Sequence, residues 1–253
     1  MKEVVQDYRA VFISDTHLGF KGAQADHLAN FLESHHSDQL YLVGDIVDGW
    51  RMHRKVYWPR MHTLVIQNLL AKSNNGTKVH YIVGNHDEMF RGWADFGFSL
   101  GNIALSNETD YYGIDGKRYL VIHGDLFDDL MRSRKGRRLM FLGTRMYDAL
   151  LSLDSNVNRA LSFFNIPHQS FAGFAKRHTK AAMGYMLKFE GLLSEHARVN
   201  RYDGVICGHI HTPDIKDIGD TRYMNCGDWV ENCSALVEHH DGTWELLRWR
   251  TGG

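Results

Sequence analysis

Short apolar runs that stop abruptly at polar residues punctuate the chain. Arg9-Ala10-Val11-Phe12-Ile13-Ser14 is the first. Gln39–Val43, Lys78–Val83, Tyr119–Ile122 and Asp203–Cys207 repeat the pattern. Each is too short and too continuously apolar for an amphipathic helix, so each reads as a buried strand. Between the first three, residues 23–35 and 56–73 carry apolar positions at helical spacing. Strand, helix, strand, helix, strand is the order of an α/β sheet with parallel members. Ligands of such sheets bind just beyond the carboxyl ends of the strands. The tail has a different rhythm. Residues 222–226, 234–239 and 243–249 read as short strands, with Asp241-Gly242 as a hairpin turn,. The sheet is therefore expected to end in antiparallel strands.

Residues 126–200 interrupt this rhythm. Their pattern is helical, and they hold twelve Lys and Arg against six Asp and Glu, a net of +6 that leaves −7 for the rest of the chain. Arg132, Arg134, Lys135, Arg137 and Arg138 cluster ahead of an apolar helical stretch. The segment reads as a helical cap, 126–200, inserted into a core of 1–125 and 201–253. A basic amphipathic helix of this kind attracts phosphate-rich ligands or anionic lipid surfaces. The overall net charge of −1 gives no reason to expect nucleic acid,. No apolar run approaches the length of a membrane span. The first residues lack the apolar core of a signal peptide, and three cysteines make no disulfide framework, so a cytoplasmic protein is expected,. Oligomeric state is not legible.

Histidine is abundant, with 16 copies, and many stand beside the strand ends. The five core strands are followed by Asp15-Thr16-His17, Gly44-Asp45-Ile46-Val47-Asp48, Gly84-Asn85-His86-Asp87, His123-Gly124-Asp125 and Gly208-His209-Ile210-His211. One such block alone is an ordinary polar turn. Five in order would converge on one rim. Carboxylate, imidazole and amide oxygen together suit Mn²⁺, Fe or Zn²⁺. The donors are too many for one tetrahedral ion. Two ions about 3.5–4 Å apart, sharing a carboxylate, would use them. The flanking glycines allow tight turns and close backbone approach. His35, His36, His62, His80, His239 and His240 read as structural or surface residues.

These blocks resemble those of the calcineurin-like metallophosphoesterases, whose fold is a mixed sheet sandwich flanked by helices. The resemblance implies that Asp15, His17 and His211 hold one divalent metal. It gives Asn85, His123 and His209 to the other, with Asp45 bridging. It further implies a hydroxide between the ions that attacks phosphorus in line. His86 would stabilise the transition state or protonate the leaving oxygen, and Asp48 would orient His86.

Within that superfamily the chain looks most like the UDP-2,3-diacylglucosamine hydrolase group of lipid A synthesis. Those enzymes cleave a pyrophosphate with Mn²⁺ at the inner membrane surface and carry a helical cap. Gly227-Asp228-Trp229 looks like their tail. Of the basic cluster, Arg132, Arg134, Arg137 and Arg138 are the candidates to meet substrate phosphates or an anionic membrane. The group typically shows Gly-Asn-Arg-Asp where this chain has His86. Two other readings therefore stay open: a nucleotide pyrophosphatase or phosphodiesterase on a non-lipid substrate, and a scaffold without catalysis. The complete donor set speaks against the scaffold.

Overall fold

The computed structural model describes residues 6–131 and 180–249. Strands β1 (Gln6–Ile13), β2 (His35–Val43) and β3 (Lys78–Ile82) lie side by side and parallel. They belong to a seven-stranded sheet with β4 (Ser99–Leu100), β5 (Ile103–Ser106), β11 (Ser234–Glu238) and β12 (Trp244–Arg248), in the order β12-β11-β1-β2-β3-β5-β4. A second sheet contains β6 (Glu108–Tyr112), β7 (Arg118–Ile122), β8 (Gly204–Cys207), β9 (Asp214–Ile218) and β10 (Thr221–Asn225), in the order β6-β7-β8-β10-β9.

Period-two alternation explains the layering. On β1 and β2, Val11, Ile13, Leu40 and Leu42 join one core cluster with helices α1 (Ala25–Ser34) and α3 (Arg60–Asn74). Their neighbours Ala10, Phe12, Tyr41 and Val43 point the other way, into a cluster with Tyr111, Val121, Ile206 and Met224 of the second sheet. Both faces of these strands are buried, as their continuous apolar runs require. Phe12 stacks on Tyr41 at 4.7 Å and meets Tyr111 edge-on at 5.1 Å. Truncating Phe12 to Ala would cost about 3–5 kcal/mol. The fold is thus a mixed α/β sandwich of two sheets with flanking helices, as the sequence resemblance implied.

Several sequence expectations need correction. The five apolar strands are not one sheet: three lie in the first, and β7 and β8 pair in the second. Residues 221–225 pair in parallel with β8, because the run follows β8 through the antiparallel edge strand β9 and returns beside it. β11 and β12 are antiparallel, and the turn between them closes through His239 and Thr243 with Gly242 at φ +87°. The helix expected from residue 56 starts at Arg60. Pro59 is its N-cap at ψ 163°, and a residue before proline is pushed out of helical geometry. Strands β5, β6 and β9 and the short helix α2 (Gly49–Arg54) carried no clear pattern, since all are half-exposed.

The chain divides into two compact units, Met1–Asp125 with Leu193–Gly253, and Leu126–Leu192. Of the second, Leu126–Met131 and the first part of Lys180–Val199 are described, and both are helical. No helix among the described residues is long and apolar enough to cross a membrane.

Candidate metal centre

The site follows from strand order. β1, β2 and β3 are neighbours, so the loops after them lie side by side, and the loops after β7 and β8 are neighbours in the other sheet. Backbone bonds lock the loops together. Asp15 donates to Gly44 O at 3.0 Å, His17 to Asp45 O at 2.9 Å and Asp48 to Leu18 O at 2.8 Å. Between the sheets, Asp15 Oδ2 accepts His209 N–H at 2.9 Å, and within the first sheet Asp45 Oδ1 accepts His86 N–H at 2.8 Å.

Three groups of donor atoms converge within 4.8 Å of one another: Asp15, His17 and His211; His17, Asp45 and His86; and Asp45, His123 and His209. Asp15, Asp45 and His123 are almost wholly buried. Several donor atoms here make no well-directed hydrogen bond. Asp15 Oδ1, Asn85 Oδ1 and His123 Nε2 are buried without a hydrogen bond, although His211 Nε2 lies 3.0 Å from Asp15 Oδ1. Buried polar atoms left unpaired cost free energy, so a cluster of them on hard and borderline donors fits a divalent cation.

The imidazoles are set for that role. His123 Nδ1 lies 2.9 Å from the carbonyl of Val43. A carbonyl only accepts, so Nδ1 carries a proton, and Nε2, 3.3 Å from Asp45 Oδ2, is the nitrogen that a metal would take in exchange for a proton,. His17 Nδ1 faces Asp48 Oδ2 at 3.4 Å, leaving its Nε2 between Asp15 and Asp45, 3.8 Å from each. A carboxylate behind a ligating imidazole fixes its orientation and raises its basicity. Asp48 also reaches His86 Nδ1 at 3.0 Å. Trp50 lies over the His86 ring at 4.5 Å.

Electrostatics reflect this crowding. Burial pushes Asp15 and Asp45 up, but the surrounding histidines, His211 and His123 foremost, hold both well below the usual carboxylate range. Burial pulls His17 down, yet Asp15 and Asp48 raise it to about 10 in the metal-free protein. Metal binding must displace such protons.

Backbone geometry singles out the same residues. Asp15, His17, Asp45, His209 and His211 all have left-handed φ between 48° and 68°. Non-glycine residues rarely adopt this conformation, and it clusters at functional sites. The adjoining glycines admit no side chain. A Cβ at Gly44 would strike the His123 ring, and one at Gly84 would strike the Asp45 carboxylate.

Of the residues singled out from sequence, Asp15, His17, Asp45, Asp48, Asn85, His86, His123, His209 and His211 thus stand in these adjoining loops. Arg132, Arg134, Arg137 and Arg138 lie outside the described residues. The sequence reading missed two supports. Asp87, fully buried, accepts from Tyr81 Oη, Ile46 N and Gly84 N, tying the third loop to the second. Asp228 gathers the amides of Val230, Glu231 and Asn232. That turn sets Trp229 N–H on Asp15 O and Asn232 Nδ2 on His211 O. Both carboxylates follow a glycine-containing turn, the signal by which they could have been found.

The sequence profile of the calcineurin-like phosphoesterases matches residues 8–213. The chain belongs to that family and is a metal-dependent hydrolase of phosphoric ester or anhydride bonds. Among its relatives is a UDP-2,3-diacylglucosamine hydrolase of Porphyromonas gingivalis, 26% identical over 265 residues that cover 93% of this chain and 95% of that one. Another enzyme of that description, from Pectobacterium carotovorum, is 27% identical over 89% of this chain and 93% of its own. A third, from Nitrosococcus oceani, is 27% identical over 89% of each.

Proposed function

We propose that the chain is a dinuclear, Mn²⁺-dependent pyrophosphatase acting on a nucleotide-linked lipid such as UDP-2,3-diacylglucosamine, with UMP and the lipid phosphate as products. The observation that carries this reading is the near full-length match to relatives of that description. Asp15, His17 and His211 would hold one ion, and Asn85, His123 and His209 the other, with Asp45 shared. When bound, the ions supply Lewis acidity toward phosphoryl oxygens and activate water. The chain's own groups do the rest. His86, kept in place by Asp48, gives a proton to the departing phosphate oxygen. Asp48 holds His17 from behind as well, so one carboxylate orients both a ligand and the acid. Residues 126–200 act as an inserted cap that selects the substrate. Arg132, Arg134, Arg137 and Arg138 meet its phosphates or the anionic face of the inner membrane, from the cytoplasmic side.

A second reading keeps the metals and drops the lipid. His86 stands where the lipid A group typically carries arginine, and imidazole lacks the planar fork that grips a second phosphate. Mass spectrometry separates the two. Metal-stripped protein reloaded with Mn²⁺ is expected to convert UDP-2,3-diacylglucosamine to UMP and the diacyl sugar phosphate. Cleavage of lipid-free nucleotides alone by the same preparation would transfer the assignment to the second reading.

A further inference from the structure

Exposed apolar side chains concentrate just after the Gly84–Asp87 turn. Met89 and Trp93 are half-exposed, and Phe96 is 90% exposed. The short helix α4 (Arg91–Asp95) carries Trp93, whose ring lies 5.4 Å from that of Phe98. Phe96 stands at the tip of the following turn, where Gly97 takes φ +63°. Its N–H and that of Phe98 both donate to Trp93 O, so the three aromatic residues form one ordered surface. The surface continues to α2. Met89 packs at Gly49, and Trp50 Nε1 donates to Glu88 at 2.9 Å. Beyond α2 come Lys55 and Val56, the latter 73% exposed. From Gly49 to Arg60 there are four Arg and Lys and no Asp or Glu.

We propose that this surface docks on an anionic phospholipid bilayer, with Trp93, Phe96 and Phe98 entering the interface and Arg54 and Lys55 meeting lipid phosphates. Contiguous exposed apolar surface of this kind marks an interaction site. Indole and phenyl rings settle at the headgroup level, and adjacent basic residues are drawn to anionic lipid. Charge favours a bilayer of that sign at this surface, since the segment 49–60 is purely basic within a chain that outside residues 126–200 carries a net −7. The surface rests on the lipid-substrate reading only for its purpose, bringing the metal centre to a membrane-borne substrate.

Flotation tests it, using the Mn²⁺-loaded full chain and vesicles of phosphatidylcholine with one quarter phosphatidylglycerol. Wild type is expected to float with these vesicles and far less with phosphatidylcholine alone. Phe96→Ser with Trp93→Ser should lower the partition coefficient by about tenfold or more. R54E with K55E should remove the preference for anionic vesicles. Both pairs should cleave bis(p-nitrophenyl) phosphate as wild type does. Phe96→Ser alone, changing a side chain that lies in solvent, guards against misfolding. Wild type that stays with the soluble fraction, or variants that float unchanged, would overturn the proposal. So would a wild-type dimer that Phe96→Ser converts to monomer, because a second copy would then be the occupant. Protein that floats as expected but leaves UDP-2,3-diacylglucosamine uncut upholds the docking surface and sinks the lipid-substrate reading.

Discussion

The two ends of β1 and β2 carry the same residue types and behave differently. At the amino ends, Asp7 and His36 are register partners. His36 Nδ1 donates to Asp7 at 2.9 Å, His240 lies 3.4 Å from the same carboxylate, and His239 pairs with Glu245 at 2.9 Å. About half of each Asp7, His36 and His240 side chain is exposed. Among the described residues, no metal-ligand trio forms there. At the carboxyl ends Asp15, His17, Asp45 and Asp48 are buried, the first three sit on left-handed backbone, and oxygens of Asp15 and Asp48 are left without a hydrogen bond. Asp and His in proximity are therefore not enough. What separates the ends is that one cluster is exposed to water on regular strands, whereas the other is crowded and buried on strained loops that leave some of its donor atoms short of hydrogen bonds,.

The largest expected effect breaks the comparison most directly. Asp45→Ala should lower Mn²⁺-dependent turnover of bis(p-nitrophenyl) phosphate by at least about 10³-fold, since several kcal/mol of transition-state stabilisation depend on the ions. Asp7→Ala should leave kcat/KM unchanged. Circular dichroism must show both variants folded. Wild-type turnover in Asp45→Ala protein would remove the functional contrast between the ends.

Glycine substitutions give the next largest effect. A Cβ at Gly84 would meet the backbone N of Asp45 at 2.5 Å as well as its carboxylate. Gly84→Ala should cost about 1–3 kcal/mol by overpacking and weaken Mn²⁺ binding about tenfold or more by displacing a ligand. A Cβ added at Gly92, in α4, would meet nothing within 4 Å. Gly92→Ala should be neutral or stabilising by up to about 1 kcal/mol. Thermal unfolding of metal-free protein and calorimetric Mn²⁺ titration read the two terms separately.

Histidines sharpen the comparison through pH. His17, in the metal-free protein, is raised from 6.5 to about 10. It binds its proton more tightly when folded, so its stabilisation is complete below about pH 6.5 and is lost as pH rises through about 10. His35, His62 and His80 go the other way, lowered chiefly by burial. His62 Nδ1 accepts the amide of Gly19 at 3.0 Å and must be unprotonated to do so. The unfolded chain takes up those protons first, so this stabilisation is present above about pH 6.5 and is lost as pH falls below it. Urea melts of metal-free protein should show His17→Asn flattening the alkaline side and His80→Phe flattening the acid side. The same flank responding to both would mean that the two histidine populations are not distinct.

How legible this was depends on what a residue does. The runs at Val11–Ile13, Leu40–Val43 and Val205–Cys207 reveal themselves because burial on both faces forces continuous apolar sequence. So do Asp15, Asp45 and His123, because each follows such a run directly. The division of the strands between two sheets left no local trace, since pairing is a long-range choice. β5 and β6 are half-exposed and have neither an apolar run nor a clean alternation. Asp87 and Asp228 read as turn residues, and only in the folded chain do their carboxylates hold ligand loops together. The left-handed backbone at five of the donors is likewise not readable from residue types, because Asp and His, although enriched there among non-glycine residues, mostly adopt ordinary φ,.

The smallest expected effect concerns the amino-end cluster itself. The His36 hydrogen bond, outweighing partial burial, holds the Asp7 carboxyl below its ordinary value of 3.8. Its stabilisation is therefore present above about pH 4 and lost as pH falls. With both side chains about half in water, solvent screens most of the attraction, and ordering them costs entropy. His36→Ala should destabilise the protein by less than about 1 kcal/mol, with a smaller loss at 0.5 M salt than at 0.05 M. Denaturant melts at the two salt concentrations check this, and Zn²⁺ titration of the Asp45→Ala protein checks the cluster's indifference to metal. A loss above about 2 kcal/mol, or Zn²⁺ bound by Asp45→Ala protein and released by His36→Ala, would show that exposed donors on regular strands suffice for a cation site. The left-handed loops at the other end would then be needed for catalysis and not for holding metal.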